Sequence, residues 1–339
     1  STENGLGLNL YVDGRFGSFS TNRLDKKELE TLITNGIEST RYLAVDESRM
    51  LADPARYYKG GKPDLQLFDK KLYEVNPDDK VAIARAAAEE VLGKDERIIS
   101  VDSSYSDGEG SSYRLISNGF EGESKSTWFS VSASVSIKGE GEARPQDYWY
   151  DSALFYDKLT KTGIGAKRKL GQKKAKSGKY TMVVDPMNVG NLLSPMLSAL
   201  YGSALQQKNS FLMDKLDTKV ASDLFTLRDE PHAIGANGSR YFDNEGVATE
   251  PRTVFDKGVL KTYFIDTYNG KKMDIAPTIS APSRLILTPG DKDLNGLVAD
   301  IKQGILVTGF NGGNSNSSTG DFSYGIEAVS YTHLTLPTI

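Results

Sequence analysis

The chain has 339 residues and a mass of 37.0 kDa, too long for one small domain and suited to two or three. With 38% hydrophobic and 25% charged residues the composition is that of an ordinary globular protein, and a formal net charge of −4 argues against a dedicated nucleic-acid binder. Cysteine is absent, which excludes disulfides, thiolate metal sites and cysteine nucleophiles; the two histidines, His232 and His333, form no pair at helical or loop spacing.

Three blocks follow in chain order. Leu6, Leu8, Leu10 and Val12 alternate with small or polar residues at strand period. Asp13, Gly14 and Arg15 supply a turn, and residues 16–21 return as the second arm of a hairpin. Asn22 is expected to cap a helix running to about Arg41, with Leu29, Leu32 and Ile33 on one face. Over residues 45–76 Pro54, Gly60, Gly61 and Pro63 break every period, so a connection meandering over the surface is expected.

The second block opens at Pro77-Asp78 with an alanine-rich helix over 81–92, stopped by Gly93. Residues 97–105 and 112–118 read as strands on either side of a hairpin turn at Asp107-Gly108-Glu109-Gly110. Phe129, Val131, Ala133, Val135 and Ile137 alternate with Ser130, Ser132, Ser134 and Ser136, the pattern of an antiparallel strand with one wetted face. A helix over 153–170 is expected to close the block.

The third block begins with a short buried strand over 180–184 and a helix over 188–207. Strands then follow: 253–255 and 259–265 around Asp256-Lys257-Gly258, then 284–287, 305–308 and 322–328. The fold class expected is α+β: an N-terminal α/β part, a compact α+β middle part and a β-rich C-terminal part. The boundaries are 1–45 for the remainder of an N-terminal domain, 46–77 for the connection, 78–172 for the central domain and 178–328 for the C-terminal domain. The chain opens at Ser1 inside an alternating pattern, and a missing start is expected. Residues 329–339 read as one frame of a transposon-end sequencing adaptor, so a non-native tail carrying His333 is expected there. No apolar run approaches the roughly 20 residues of a membrane span, and no basic-then-apolar leader is seen.

Chemistry-bearing groups are sparse. A serine nucleophile would need a base, and only His232 could serve, in a loop-like Glu230-Pro231-His232 setting. Asp243, Glu245 and Glu250 cluster in sequence, where routine hairpin acids are the simpler account than a metal site. No glycine run is followed by the lysine of a phosphate loop. Between Lys158 and Lys179 lie nine basic residues with no acid, read as a solvated helix end and linker rather than a nucleic-acid surface.

Several ordered motifs together resemble the TldD/PmbA family. They are Val183-Val184-Asp185-Pro186, Val189-Gly190-Asn191-Leu192-Leu193, Lys219-Val220-Ala221-Ser222 and Asp243-Asn244-Glu245-Gly246. Further along come Pro251-Arg252-Thr253, Gly258-Val259-Leu260-Lys261 and residues 319–325, Thr-Gly-Asp-Phe-Ser-Tyr-Gly. Gly5-Leu6-Gly7-Leu8 and Asp13-Gly14-Arg15 match the opening hairpin. In that family the TldD subunit resembles a zinc peptidase with a His-Glu-x-x-x-His helix. Laid on this chain without a gap, the histidine positions hold Ser194 and Ala199 and the glutamate position Pro195. The resemblance therefore implies the PmbA-like (TldE) branch, a cytoplasmic subunit inactive alone and without a cofactor of its own.

It further implies pairing with a TldD-like, zinc-bearing partner or a second copy, and action on small or unfolded peptides. Gly309, Asn311, Gly312, Gly313, Thr319, Gly320 and Asp321 are the candidates for holding an extended peptide by backbone pairing. A homodimeric peptide-binding scaffold is the alternative. A nucleic-acid-associated modulator is the third reading, since members of the family were once described as modulators of DNA gyrase.

Overall fold

The computed structural model describes residues 2–138, 146–160, 178–301 and 304–331. The fold is α+β, with its helices and strands distributed over four separate sheets. At the N-terminus β1 (Leu6–Val12) and β2 (Arg15–Thr21) form the expected antiparallel hairpin. Helix α1 (Lys26–Arg41) lies against it through buried Gly36 and Thr40. The cap of α1 is Asp25 and not Asn22: its carboxylate accepts the Glu28 N–H, the strongest available stop for an orphan helix donor.

The connecting segment is not a surface meander. Ala52, Tyr57 and Leu65 are buried in it, and two short 3-10 turns, Pro54–Arg56 and Lys70–Tyr73, fold it. The Tyr57 hydroxyl donates to Asn118, whose amide donates to the Ala52 carbonyl, so an irregular backbone is held by side chains in place of a ladder.

In the central part α2 (Pro77–Glu89) is capped by Asn76 and placed by Pro77 at its first turn. It packs on a three-stranded antiparallel sheet ordered β3-β4-β5, with β3 (Ile98–Ile116), β4 (Phe120–Ile137) and β5 (Gln146–Ala153). The alternation of β4 is as the sequence predicts: Phe129, Val131, Ala133, Val135 and Ile137 are buried against Ile83, Ala87 and Val91 of the α2 region. The expected turn at residues 107–110 is absent. β3 runs straight through it, and the chain reverses at Asn118-Gly119. Gly108 serves packing, because a Cβ there would lie 2.9 Å from the Trp128 indole directly across the ladder. The expected helix over 153–170 is also corrected where it is described: β5 ends at Ala153 and a 3-10 turn spans Tyr156–Lys158. The rest of that span, most of the basic stretch and His333 lie outside the described residues.

The C-terminal part opens with β6 (Thr181–Val184), which is half-exposed rather than buried because it is an edge strand. Helix α3 (Pro186–Ser198) starts at Asp185, not Asn188, and α4 (Gly202–Gln206) is a separate helix. The single helix expected over 188–207 breaks after Ser198, where the Gly202 N–H turns to the Phe264 carbonyl instead of to the helix. An antiparallel sheet β10-β7-β8-β9 holds β7 (Leu227–Asp229), β8 (Arg252–Asp256), β9 (Val259–Leu260) and β10 (Leu285–Leu287). Between its strands lies α5 (Thr267–Met273), and α6 (Leu294–Ala299) follows. β11 (Gly304–Ser315) and β12 (Phe322–Tyr331) make a long hairpin whose β11 also pairs in parallel with β6. Val329, the first residue of the expected tail, is opposite Leu306 in this ladder; residues 332–339 are outside the described set.

The largest core gathers Leu200, Leu212, Val254, Phe255, Leu260 and Phe264 of the C-terminal part with Tyr57 of the connection and Phe120 of β4. All three blocks share it. Among the described residues no helix is long and apolar enough to cross a membrane.

One hydroxyl stitches the connection to the central sheet. The fully buried Thr127 accepts the Asp69 N–H at 3.0 Å and donates to the Leu154 carbonyl at 2.8 Å. Thr127→Val keeps the shape and orphans both backbone groups, so it should lower unfolding stability by about 1–3 kcal/mol in a denaturant titration. An unchanged midpoint would mean that water replaces the hydroxyl at no cost.

Candidate functional site

Helix α3 is fixed by its start and its flank. Asp185 accepts the Met187 N–H, the Asp185 N–H reaches the Val307 carbonyl, and Asn188 Nδ2 donates to the Thr308 carbonyl at 2.9 Å. The helix thus lies beside β11, just where β6 stops pairing with it. Ser194 donates its hydroxyl to the Gly190 carbonyl at 2.8 Å, and Ser198 donates to the Ser194 carbonyl at 2.9 Å. Ser194 is exposed, whereas Ala199 is 0% exposed inside the core. Pro195 offers no donor atom. The three positions do not converge, and their chemistry does not fit a zinc ion, which takes imidazole, thiolate or carboxylate ligands. Among the described residues no group of three or more histidines and acids is arranged to hold a metal.

The candidate peptide-holding residues all fall on the β11–β12 hairpin and its turn. Gly309 faces Glu327, Asn311 faces Gly325 and Gly313 faces Tyr324, with irregular register after Val307 and after Asn311. Gly313 has φ +112, and a Cβ there would lie 2.2 Å from the Ser323 carbonyl oxygen, so only glycine fits this bulge. Asn311 Nδ2 donates to Glu327 Oε1 at 2.7 Å across the ladder. In the turn the Gly320 N–H reaches Asn316, and Thr319 donates to Asp321 at 2.8 Å.

Two edges result. β6 matches β11 only from Gly304 to Val307, so over residues 308–315 no strand among those described pairs with that side of β11. The outer side of β12 is likewise without a strand neighbour in the described sheet. Beside the hairpin tip lies an open cleft of about 480 Å3 lined by Asn209, Asn314, Asn316, Asp321, Phe322 and Ser323. The edges offer backbone donors and acceptors, and the cleft offers polar side chains with one exposed phenyl ring. Sequence reasoning missed Asn209 and its neighbour Phe211, whose N–H donates to the Ser317 carbonyl. They are about a hundred positions upstream, with no local signal.

The other sequence candidates do not assemble. Asp243 is buried and accepts backbone N–H groups, Glu245 accepts from Thr267, and Glu250 is paired with Lys62 at 3.1 Å on the surface. His232 has no serine partner: its Nε2 lies 3.1 Å from Thr249 Oγ1. That hydroxyl donates to the Arg240 carbonyl, so the ring nitrogen is the donor.

Burial, helped by nearby Lys62, pushes the His232 imidazole below its usual range. As pH falls, the unfolded chain therefore takes up this proton before the folded one does. Its contribution is fully present above about pH 6.5 and is lost progressively below it. His232→Gln should flatten the acid-side fall in stability. Denaturant midpoints of parent and variant at about pH 5 and about pH 8 check this, and parallel profiles would refute it.

The fold and these motifs have relatives. The family model "PmbA/TldA metallopeptidase central domain" matches residues 70–173, and "PmbA/TldA metallopeptidase C-terminal domain" matches residues 177–333. The Metalloprotease PmbA homolog of Haemophilus influenzae is 28% identical, over 96% of this chain and 74% of its own length. Metalloprotease PmbA of Escherichia coli O157:H7 is 25% identical over the same shares. A crystal structure from Bacteroides thetaiotaomicron, provisionally named a modulator of DNA gyrase, is 68% identical with a TM-score of 0.95, covering 97% of this chain and 77% of that one. TldE from Thermococcus kodakarensis, at 19% identity and a TM-score of 0.76 over 96% of this chain and 80% of its own, shares the fold.

Proposed function

Because the chain belongs to the PmbA/TldD metallopeptidase family, we propose that it is the non-metal, PmbA/TldE-type subunit of a cytoplasmic peptidase complex acting on small or unfolded peptides. The observation that carries this reading is α3. At the positions where the metal-bearing subunit is expected to have two histidines and a glutamate, this chain has a hydroxyl bonded to its own helix, a proline and a buried methyl group.

In this reading the zinc and the water-activating base belong to a TldD-like partner, and no hydrolytic step runs through this chain. Its own share is to hold substrate. The open edge of β11 and the outer edge of β12 can pair with an extended peptide through backbone hydrogen bonds, which accept any side chain but proline along the paired face. Gly309, Gly312 and Gly313 keep that edge free of bulk, while Asn311, Thr319, Gly320 and Asp321 shape its tip. The alternative is a homodimeric scaffold that binds peptides without any peptidase. It uses the same edge and differs only in its partner.

Purified alone, the chain should hold no stoichiometric zinc and cleave no peptide. Mixed with a TldD-like subunit carrying the histidine motif, it should raise chelator-sensitive cleavage of unstructured peptides. Metal analysis and a peptide-cleavage assay on each subunit and on the mixture decide the matter. One equivalent of tightly held zinc in this chain alone would sink the reading, and a partner whose activity ignores this chain would favour the scaffold.

A further inference from the structure

A second polar cleft, of about 560 Å3, lies between the N-terminal hairpin and the C-terminal part, and the proposed peptide-holding role does not use it. That volume is within the usual range for small-molecule sites, about 300–1,000 Å3. Tyr11, Arg49, Gln206, Glu245, Tyr268 and Ser280 reach it from six different segments.

Arg49 is the unusual member. Its guanidinium carbon lies 3.7 Å from the Tyr268 ring centroid and 4.7 Å from that of Phe16. Ring contacts of this kind fix the cation through its π face and leave the N–H fork in the guanidinium plane available. Two acids precede it closely: Asp46 is engaged, accepting the Tyr268 hydroxyl at 2.9 Å and pairing with Lys272 at 3.1 Å, while no ion pair joins Glu47 to Arg49 among the described residues. Arg49 makes no ion pair or side-chain hydrogen bond among the described residues. A guanidinium held by two rings, with its N–H fork free of protein partners among the described residues, suits a carboxylate.

Two carboxylates line the cleft: Asp266 is taken up by the Asn269 N–H and side-chain amide at the start of α5, which leaves Glu245 as the opposite charge. Its carboxylate accepts the Thr267 N–H and hydroxyl at 3.0 and 2.9 Å, which fixes its orientation, and burial raises its pKa above the usual range. No ion pair joins it to Arg49. Burial also raises the Tyr11 phenol, with Glu245 pushing the same way and Arg49 opposing, so the Tyr11 hydroxyl senses both charges. The Ser280 hydroxyl oxygen is shielded from solvent and has no hydrogen-bond partner among the described residues.

We propose that this cleft binds a small zwitterion, a free amino acid or short peptide, with its carboxylate forked onto Arg49 and its ammonium set against Glu245. A simple anion would meet Glu245 unrelieved, and a simple amine would meet Arg49. A ligand carrying both charges satisfies both groups. The site is separate from the β11–β12 edge, and its occupancy does not depend on a metal-bearing partner.

The test is isothermal titration of the full chain with glycylglycine, alongside N-acetylglycine, which keeps only the carboxylate, and glycinamide, which keeps only the ammonium. Saturable one-to-one binding of glycylglycine is expected. Each control, and each of Arg49→Gln, Arg49→Lys and Glu245→Gln, should weaken it by at least about tenfold, the scale of one charge-assisted contact. Arg49→Lys keeps the charge and removes the fork, and a thermal melt of every variant establishes that it is folded. No saturable heat with glycylglycine, equal binding of N-acetylglycine or inorganic phosphate, or folded Arg49→Gln and Glu245→Gln variants that bind like the parent would each overturn the proposal.

Discussion

The carboxylate of Asp243, 2% exposed, is the point on which the three blocks of this chain converge. Its two oxygens accept the N–H groups of Glu245, Val247 and Ser280. A buried carboxylate is costly unless its lone pairs are met, and here backbone donors meet them. The consequence is a rigid loop over residues 243–247. That loop turns Glu245 toward the start of α5, sets Val247 opposite Tyr57 of the connection, and presents the Gly246 carbonyl to the Tyr58 N–H. Phe120, from the start of β4, lies over Gly246, so the central sheet is tied to the same spot. The polar cleft with Arg49 and the shared apolar core are therefore two sides of one loop.

What the sequence made legible was whatever a local pattern encodes. The serine–apolar alternation of β4, the N-terminal hairpin and the turn at Asp256-Lys257-Gly258 need only neighbours to be read, and all three are present. The failures share a cause. Gly108 resembles a turn residue and is a cushion for Trp128 across the ladder. Asn22 resembles a cap and loses to Asp25. The connection over residues 45–76 resembles a surface loop because it has no period. Its buried residues are in fact matched to partners far along the chain: Tyr57 to Val247, Leu65 to Tyr241 and Thr127 to Asp69. Segments held by long-range side-chain bonds leave no periodic trace.

The same distinction applies to the sites. The hairpin candidates rest on the expectation that strand edges near 309–313 and 319–325 can pair with a peptide backbone, and those residues do fall on one hairpin. Asn209 could not be named in this way, nor could the Arg49 cleft, whose walls come from residues spread between Tyr11 and Ser280. Charge clusters in sequence were the poorest guide. Asp243, Glu245 and Glu250 lie within eight positions of one another, and the fold sends one to a backbone loop, one to a helix start and one to a surface lysine.

On the proposed reading α3 stands where the metal-bearing branch has its ligands, and its geometry bears on whether those ligands could be put there. The helix is retained for what it holds: Asn188 secures the Thr308 carbonyl at the point where β11 leaves β6, and Ala199 fills the shared core. Those duties are incompatible with a zinc-binding pair at positions 194 and 199. Ser194 faces water, and Ala199 has no free volume, so Ser194→His and Ala199→His together would leave one ring in solvent and drive the other into packed side chains. Overpacking of that kind costs about 1–3 kcal/mol before any metal is considered. Pro195 adds a second obstacle, since it carries no side-chain ligand or base and leaves the Asn191 carbonyl without its helical N–H; the helix ends at Ser198, with Ala199 as its cap. On the proposed reading, then, the difference between the two branches is not three side chains that could be exchanged at will. It also involves the fixed end of α3 at Ser198 and the packing of Ala199 in the shared core, while the start of the helix, through Asp185 and Asn188, sets it beside β11.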